Sequence, residues 1–495
     1  MRRLLPVLLI LAAYTVALTY HRDLAPPGLS NDVAEEALRG IYLVEGHHFE
    51  VMTFSLGHSA ETLYLYLVGA AAHWFAPTTL ALQAVSWVFG LACIGMIWKL
   101  AERCVEGVPA WLPVLTAAAS IWLFHYARSG LRAIAAPFFL AAFALLLDQA
   151  ERLPLNRMVG LAAGAVLGLS LYGYTSARIL PIAFAAYAGF RLIRQPKNRT
   201  VLLRLYGAMT AGALVVSVPN LIFLVQQPKE FLARGNYVLT ATGGDQAANA
   251  AWTFLMPFYY PDVFRNIFGP HFFSDGVSAG LVSLGLNPIH WIFAIALVAG
   301  VWEARRMLDR PVVLFLLAAW ITAVVTLGIA GPSLTRLLVI VPAYLVFVVA
   351  GFTWLMKRHA KLWMVVLVLV LWVGVGDAYT YFSGAAGSQE FFGAAATPIG
   401  QKAASLAAQG LKVVCVVSKD ASVVRYLIHR QSQRVRVTEF YEREPDAAEV
   451  PFQEFQPDAL LIEAIPSFQG FAARFPAEWR AGQEEHYYLM RRPGR

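Results

Sequence analysis

Long apolar stretches separated by short polar turns make up most of the chain as far as about residue 380. A helix that crosses the hydrocarbon core of a bilayer needs about 20 mostly apolar residues. Stretches close to this length cover residues 4–20, 78–98, 108–125, 133–149, 158–174, 177–193, 205–225, 288–304, 311–330, 336–356 and 361–377. The pattern predicts an all-α polytopic membrane bundle of about 11 transmembrane helices.

The pattern of apolar positions changes after residue 380. Short β-branched runs predict strands at 411–417, 434–441, 459–463 and 486–490, and the spacing within 421–431 predicts a helix. Alternating strands and helices are typical of a sheet covered by helices. The sequence therefore predicts two domains: a membrane domain at 1–380 and a small α/β domain at 381–495. The tail has no glycine-rich phosphate loop, so it carries no signal for a nucleotide site.

The composition agrees with a membrane protein. Of the 495 residues, 58% are hydrophobic and 14% charged, whereas soluble domains average roughly 45–50% and about 25%. The formal net charge is +8, but basic and acidic residues balance from Glu390 to the end. The excess positive charge thus lies in the membrane part, where loop Lys and Arg set topology, and a nucleic-acid partner is excluded.

The distribution of Lys and Arg predicts the orientation. Alternate short loops hold 17 of these residues when the N-terminus is taken as cytoplasmic, and the opposite loops hold 9 in much more sequence. Positive loops face the cytoplasm, so a multi-pass protein of the cytoplasmic (inner) membrane with an extracytoplasmic C-terminal domain is predicted. The first span reads as an uncleaved signal anchor, although a cleaved signal peptide is the alternative. Two long outer loops, 21–77 and 226–287, are where function is expected.

Acidic residues gather in the first outer loop. Pro26, Pro27 and Gly28 end the first span, and Ser30, Asn31 or Asp32 can cap the helix that follows. Asp32 and Glu36 are four residues apart and share a helix face, which Glu35 flanks. These carboxylates suit a general base, and Asp32 with Glu36 could hold a divalent cation. The alternative is a helix cap followed by a solvated first turn. Glu61, further along the loop, is either a polar-ligand contact or another capping glutamate.

Four arginines stand where short outer turns meet the membrane, against the usual charge bias: Arg128, Arg132, Arg178 and Arg336. A guanidinium binds phosphate oxygens through two parallel hydrogen bonds, so an anionic lipid phosphate is the predicted partner. Snorkelling to headgroups at helix ends is the alternative. The predicted spans place Asp148, Glu303 and Asp377 at their ends and leave their midplanes uncharged. Ion-coupled transporters usually carry ionisable groups near the midplane, so this pattern weakens a transporter interpretation.

Four stretches lie in order along the predicted outer side of the membrane: Pro27–Asp32, Glu61-Thr62-Leu63-Tyr64-Leu65-Tyr66-Leu67, Ala127–Ala133 and Gly168–Arg178. In this order and on this side, they resemble the GT-C superfamily of polyprenyl-phosphate-sugar-dependent glycosyltransferases. They are similar in particular to bacterial protein mannosyltransferases and the lipid-A aminoarabinose transferase. The chain departs from the family at Val33, where a glutamate is common, and at Thr62, where the family has proline.

The resemblance implies a function. Asp32 would be the catalytic or metal-assisted base. One or more of the four arginines would hold the phosphodiester of the donor, with Tyr172 and Tyr174 beside it. The expected reaction is inverting sugar transfer from an undecaprenyl-type phosphate carrier to a hydroxyl of a glycan, lipid or protein acceptor of the cell envelope. A transporter or flippase of a lipid-linked sugar is the alternative.

Overall fold

A computed structural model of the chain describes residues 4–21, 28–55, 58–153, 156–232, 289–329, 333–359, 361–384, 395–417 and 420–440, with shorter stretches between 450 and 491. Pro26 and Pro27 lie outside the described residues, as does the predicted outer loop 226–287 from residue 233 onward. The helices and strands in chain order are α1 (Leu5–Thr19), α2 (Asn31–Glu45), β1 (Met52–Ser55), β2 (His58–Glu61), α3 (Leu63–Phe75), α4 (Thr79–Cys104), α5 (Trp111–Ala118), α6 (Ile121–Ser129), α7 (Ala135–Arg152), α8 (Arg157–Ser170), α9 (Ile179–Arg194), α10 (Arg199–Gln226), α11 (Trp291–Ala304), α12 (Pro311–Ile329), α13 (Leu334–Leu337), α14 (Val341–Arg358), α15 (Leu362–Gly384), α16 (Ala396–Ala408), β3 (Val413–Val417), α17 (Ala421–Leu427), β4 (Val435–Glu439), β5 (Ala459–Glu463), β6 (Arg480–Gln483) and β7 (Tyr487–Arg491).

The chain divides into two compact units. Unit 1 comprises Met1–Tyr20, Glu50–Tyr64 and Ser86–Ser383, and unit 2 comprises His21–Phe49, Leu65–Val85 and Gly384–Arg495. Unit 2 therefore combines the tail with stretches from the first part of the chain, including helix α2. The predicted division into domains at 1–380 and 381–495 stays a prediction.

Six helices among the described residues are long and apolar enough to cross a membrane: Thr79–Cys104, Arg132–Arg152, Thr175–Arg194, Pro196–Gln226, Leu334–Arg358 and Leu362–Ser383. The other predicted spans coincide with shorter helices, among them α1, α8 and α12. A polytopic helical membrane protein is thus confirmed, while the total of about 11 spans stays a prediction.

The predicted span 108–125 is not one helix. It consists of α5 and α6, which are separated at Ala119 and Ser120. Ser120 adopts an extended backbone, and its side chain accepts a hydrogen bond from the backbone N–H of Leu123. Its Oγ is also 2.7 Å from the hydroxyl oxygen of Tyr344. Serine is a favoured N-cap, so this residue starts a new helix within an apolar run that the hydropathy pattern reads as continuous.

The core of unit 1 is built around α14, which is buried at every residue from Val341 to Thr353. Helix α11 crosses it at Gly300 and Gly351. A Cβ at Gly300 would lie 1.7 Å from the carbonyl oxygen of Phe347, and a Cβ at Gly351 would lie 1.9 Å from that of Ala296. Only glycine allows this approach, which is the way small residues let transmembrane helices pack backbone to backbone.

One end of unit 1 holds a buried charged cluster. The Glu151 carboxylate of α7 accepts a hydrogen bond from Arg191 Nη2 at 2.6 Å and one from the Tyr206 hydroxyl at 2.6 Å, and it also accepts one from the Tyr187 hydroxyl. The side chains of Glu151 and Arg191 are 3% and 9% exposed. These contacts join α7, α9 and α10 through one carboxylate.

Replacing Glu151 with glutamine is expected to lower the free energy of unfolding by about 1–3 kcal/mol. Glutamine has no negative charge, so the buried Arg191 guanidinium loses the carboxylate with which it pairs. Thermal unfolding of the detergent-solubilised protein measures the change. Glu303 pairs with Arg306 three residues away at 3.2 Å, and Arg306 is 63% exposed. Glu303→Gln is the control and should stay within about 0.5 kcal/mol. Equal effects of the two substitutions would contradict the prediction.

Unit 2 contains a five-stranded sheet in the order β4-β3-β5-β7-β6. Strand β3 pairs in parallel with β4 and β5, and β7 pairs antiparallel with β5 and β6. All residues of β3 and β5 are buried, as expected for central strands covered on both faces. The four predicted strands and the helix beginning at Ala421 are confirmed to within a few residues. Strand β6 was not predicted, since its sequence Arg480–Gln483 has no apolar alternation.

Within unit 2, the Glu45 carboxylate at the end of α2 binds two histidines. Its oxygens lie 3.3 Å from His73 Nδ1 and 3.0 Å from His429 Nε2. Partial burial raises the pKa of Glu45, but the hydrogen bonds from His429 and His73 outweigh it and hold the pKa below the usual range. This contact joins α2 to α3 and to the turn after α17.

Stability is therefore expected to depend on pH through Glu45. A carboxyl with a depressed folded pKa stabilises the protein above its ordinary pKa of 4.5, and this contribution is lost as the pH falls below that value. Unfolding midpoints measured between pH 6 and pH 3.5 should fall less steeply for Glu45→Gln than for the unmodified chain. Parallel curves for the two proteins would contradict this. Glu439→Gln, an exposed change on β4, controls for the loss of one carboxyl.

Candidate functional site

The candidate site lies in unit 1, where the β1–β2 hairpin leads into α3. Glu61 is the last residue of β2 and pairs with Met52 across the hairpin. The Thr62 hydroxyl donates to the carbonyl oxygens of Glu50 and Val51 at 2.8 and 2.9 Å. The Leu63 N–H donates to the carbonyl oxygen of Tyr172 at 3.1 Å. The backbone on both sides of Glu61 is thus held in place, and Thr62, which replaces the family's proline, closes the turn through its hydroxyl.

The Glu61 side chain, 1% exposed, faces two arginines. Arg132 Nη1 is 3.2 Å from one carboxylate oxygen, and Arg178 Nη2 is 3.0 Å from the other. The Thr175 hydroxyl donates to the same carboxylate at 2.8 Å. One carboxylate therefore faces two guanidinium groups, and these three side chains together carry one positive charge in excess. We call Glu61, Arg132, Arg178 and Thr175 the Glu61 cluster.

Aromatic rings flank both guanidinium groups. Arg132 lies over the ring of Tyr174, 5.5 Å from its centroid, and Arg178 lies over the ring of Phe231 at 4.7 Å. Cations are attracted to the face of an aromatic ring. Arg132 is only 3% exposed, whereas Arg178 is 24% exposed. Arg178 is therefore the guanidinium of this pair that an anion from outside can reach.

Local structure explains how the arginines reach Glu61. Arg132 begins a short 3₁₀ turn before α7, and Arg178 ends a similar turn, Thr175–Arg178, before α9. Each arginine therefore sits at the start of a long apolar helix. Ser333 caps the turn of α13 that holds Arg336, and α13 packs against the Thr175–Arg178 turn. Three of the four predicted arginines thus lie on neighbouring turns.

Arg128 and Arg132 are four residues apart, a spacing that puts two residues on one face of a continuous helix, but Arg128 lies elsewhere. Gly130, with a left-handed φ of 79°, ends α6 between Arg128 and Arg132, so the two arginines do not share a helix face. Arg128 Nη1 donates to the carbonyl oxygens of Ala17 and Leu18 at 2.6 and 2.7 Å. These are carbonyls at the end of α1, which a cation near a helix C-terminus stabilises. Its binding to a lipid phosphate stays a prediction.

The remaining predicted residues lie elsewhere. Tyr172 is half-buried, and its hydroxyl donates to the Val216 carbonyl at 2.7 Å. In unit 2, Ser30 is the N-cap of α2, with its side chain accepting from the Val33 N–H. Asp32 is thus an exposed residue of the first helical turn rather than the cap, and Glu36 on the same face is buried at 7% exposure. The roles of Asp32, Glu35 and Glu36 stay predictions.

Two residues of this site were not singled out in the sequence: Thr175 of the Glu61 cluster and Phe231, whose ring lies beside Arg178. Thr175 stands inside the Gly168–Arg178 motif, between Tyr174 and Arg178. This position is its only sequence signal for a role in the site. Phe231 has none, because it contacts Arg178 from more than 50 residues away. As for metal ions, no group of three His, Cys, Asp or Glu residues in the described part of the chain is arranged to hold one.

Comparison with solved structures shows which proteins share this fold. The chain is similar to ArnT from Cupriavidus metallidurans bound to undecaprenyl phosphate, with a TM-score of 0.61 and 14% identity over 98% of this chain and 97% of that one. The apo state of the same ArnT gives a TM-score of 0.57 over the same shares. The Archaeoglobus fulgidus oligosaccharyltransferase, in complex with Zn and sulfate, gives 0.51 and 11% identity over 92% of this chain and 68% of that one.

These likenesses establish the fold of the chain over nearly its whole length. Both neighbours are GT-C superfamily members, the superfamily that the four motifs resemble, and the likeness shows that this chain shares their fold. No protein-family model matches the sequence, and no curated protein matches it.

Proposed function

We propose that the chain is an integral membrane glycosyltransferase that moves a sugar from a polyprenyl-phosphate carrier to an acceptor hydroxyl at the outer face of the cytoplasmic membrane. The observation that carries the proposal is the Glu61 cluster. Its charged side chains come from three of the four motifs that resemble the GT-C enzymes, and they meet in a fold shared with ArnT, a protein solved with undecaprenyl phosphate bound. The sugar and the acceptor, whether glycan, lipid or protein, are left open.

The cluster suits a phosphodiester. Arg178 is partly exposed, so it can donate to a phosphate oxygen while Glu61 keeps its guanidinium in place. Buried Arg132 adds a second positive charge behind it. When the bond between sugar and phosphate breaks, negative charge grows on the leaving carrier phosphate. Fixed cations aimed at that position lower the barrier, because they need not reorganise during the reaction. Arg336, on the neighbouring turn, is the next candidate for the same phosphate.

The proposed displacement is inverting and occurs in one step. Asp32 takes the proton of the acceptor hydroxyl, the hydroxyl oxygen bonds to the anomeric carbon, and the carrier leaves as its phosphate. A retaining reaction would instead need a carboxylate nucleophile and a covalent intermediate. Asp32 and Glu36 are the proposed ligands if a divalent cation assists. Two carboxylates one helical turn apart do not make a full ligand set, so no step of the proposal passes through a metal.

The test is incubation of the purified full-length protein with a radiolabelled polyprenyl-phosphate sugar in liposomes together with an envelope extract. A glycosyltransferase releases free polyprenyl phosphate and labels an acceptor. A flippase moves the intact donor between leaflets without cleaving it, and a binding protein does neither. Intact donor at all times, with or without movement across the bilayer, would overturn the proposal.

A further inference from the structure

A cavity lies in unit 1, between α1, the α5–α6 break and α15. Its volume is about 410 Å³, within the range of roughly 300–1,000 Å³ that is usual for ligand pockets. Apolar side chains form most of its wall, including Leu9 from α1, Phe124 from α6 and Val370 from α15. The cavity shares no residue with the Glu61 cluster. We call it the α1–α15 groove.

Two polar side chains line this otherwise apolar groove: Tyr14 of α1 and Asp377 of α15. Tyr14 is 4% exposed. Among the described residues, neither the Tyr14 hydroxyl nor Asp377 Oδ2 has a hydrogen-bond partner, although both atoms are buried. Buried polar atoms in proteins nearly always have a partner. Two such atoms in one cavity therefore point to a ligand with a polar group.

The position of Asp377 corrects an expectation from the sequence. The predicted span ended at residue 377 and placed this aspartate at its end, but α15 continues to Gly384. The carboxyl therefore lies within the helix. An ionisable residue inside a transmembrane helix is costly, and where it occurs it usually marks a functional site.

The break between α5 and α6 also borders the groove, since Ala118, Ala119 and Ile121 line it. Irregular backbone at membrane depth is tolerated where it is buried in protein or lines a cavity. Discontinuous helices of this kind form the polar part of many ligand sites in membrane proteins. The break is thus a third feature, independent of Tyr14 and Asp377, that belongs to this cavity.

The walls of the groove continue onto an exposed apolar surface. Three residues that line the cavity are also exposed: Leu9, Leu371 and Val375. Exposed Leu8 and Trp372 extend the same surfaces of α1 and α15. In a bilayer this surface contacts lipid chains, so a ligand can enter from the membrane. Its body must be hydrocarbon to match the walls, and its polar group must donate a hydrogen bond to Asp377.

We propose that the α1–α15 groove binds a membrane lipid whose hydrocarbon chain lies along the apolar walls and whose hydroxyl or primary ammonium group donates to Asp377. This site is separate from the one proposed for sugar transfer, and its occupancy does not depend on that reaction. A lipid alcohol and an ethanolamine-headed phospholipid share the required chemistry, so the test distinguishes them.

The test uses the full-length protein in nanodiscs and three C16 probes with a diazirine in the chain, ending in an alcohol, a primary amine or a methyl ether. Photolabelling of peptides from α1, α5–α6 and α15 should favour the alcohol, the amine or both over the ether by about tenfold, the effect of one hydrogen bond to a charged or polar partner. Asp377→Leu should remove the preference. Asp377→Asn should keep the preference for the alcohol but lose that for the amine. A preference that survives in this variant therefore indicates a lipid alcohol, and one that is lost indicates an ethanolamine-headed phospholipid.

Two glycines of α15 provide a matched control. A Cβ at Gly374 would lie 3.0 Å from the Ala119 Cβ at the groove wall, whereas a Cβ at Gly376 meets no described atom within 4 Å. A leucine at position 374 would occupy the groove, so Gly374→Leu should abolish the labelling, whereas Gly376→Leu should leave it unchanged. If Gly374→Leu does not fold, Ala13→Phe, at an exposed position that lines the groove, fills it instead. Equal labelling by all three probes, or labelling unchanged in every folded groove-filling variant, would overturn the proposal.

Discussion

Replacing Asp32 with asparagine is expected to reduce sugar transfer by on the order of 10²–10⁴-fold, the usual contribution of a general base. Asparagine has the same shape as aspartate but cannot accept the proton of the acceptor hydroxyl. Asp32 is exposed in the first turn of α2, whose cap is Ser30. The substitution should therefore leave the fold intact, since surface changes of this kind usually cost less than about 0.5 kcal/mol.

The measurement is the rate of polyprenyl phosphate release by Asp32→Asn, together with its elution as a single species in detergent. The matched control is Asp309→Asn, the same change at an exposed aspartate between α11 and α12, which should keep the normal rate. Donor binding by Asp32→Asn should be nearly unchanged, because the base acts on the acceptor. Full activity of this variant would end the assignment of Asp32 as the base.

Replacing Glu61 with alanine is expected to destabilise the protein by about 3–5 kcal/mol and to weaken donor binding. The Glu61 carboxylate, 1% exposed, balances Arg132, which is 3% exposed, and also holds Arg178. Removing one partner of a buried ion pair leaves an uncompensated charge away from water, which is the costly outcome. The loss of orientation at Arg178 should weaken binding of the donor phosphate at the same time.

Thermal unfolding of Glu61→Ala in detergent measures the first effect, and binding of undecaprenyl phosphate measures the second. Glu102→Ala is the control, because Glu102 pairs with Lys99 at 2.9 Å on the surface, with side chains 36% and 53% exposed. Such a pair contributes about 0–1 kcal/mol. Adding Arg132→Met to Glu61→Ala should restore part of the lost stability, because the buried charge is gone. An additive loss in that double variant would show that the two groups are not coupled.

The positions of the arginines were only partly predictable from the sequence. Their places beside outer turns predicted a cationic site, and Arg132 and Arg178 do meet at a carboxylate. Arg128 and Arg132 are four residues apart and would share one face of a continuous helix, but the left-handed Gly130 turns the chain between them. Arg128 instead binds carbonyls of α1. Spacing in a sequence assumes one continuous helix, and a single glycine with positive φ cancels that assumption.

A similar limit applies to Glu61. The sequence fits two roles for Glu61 equally well, a helix-capping residue and a contact to a polar ligand, because no neighbouring residue distinguishes them. Its partners Arg132 and Thr175 lie 71 and 114 residues away. The pairing exists because two 3₁₀ turns and a hairpin meet in space, and the folded chain alone brings them together.

The residue order by itself determined the helical membrane part, the α/β tail and the residues of most helices and strands. Those features follow from hydropathy over windows of a few turns, which is a local property of the chain. Tertiary structure decided which charges meet, that Ser120 divides a span, and that Asp377 lies inside a helix beside an apolar groove. Such outcomes depend on which polar groups become buried together. The interactions that stabilise them join residues far apart in the chain, so no local window of sequence contains them.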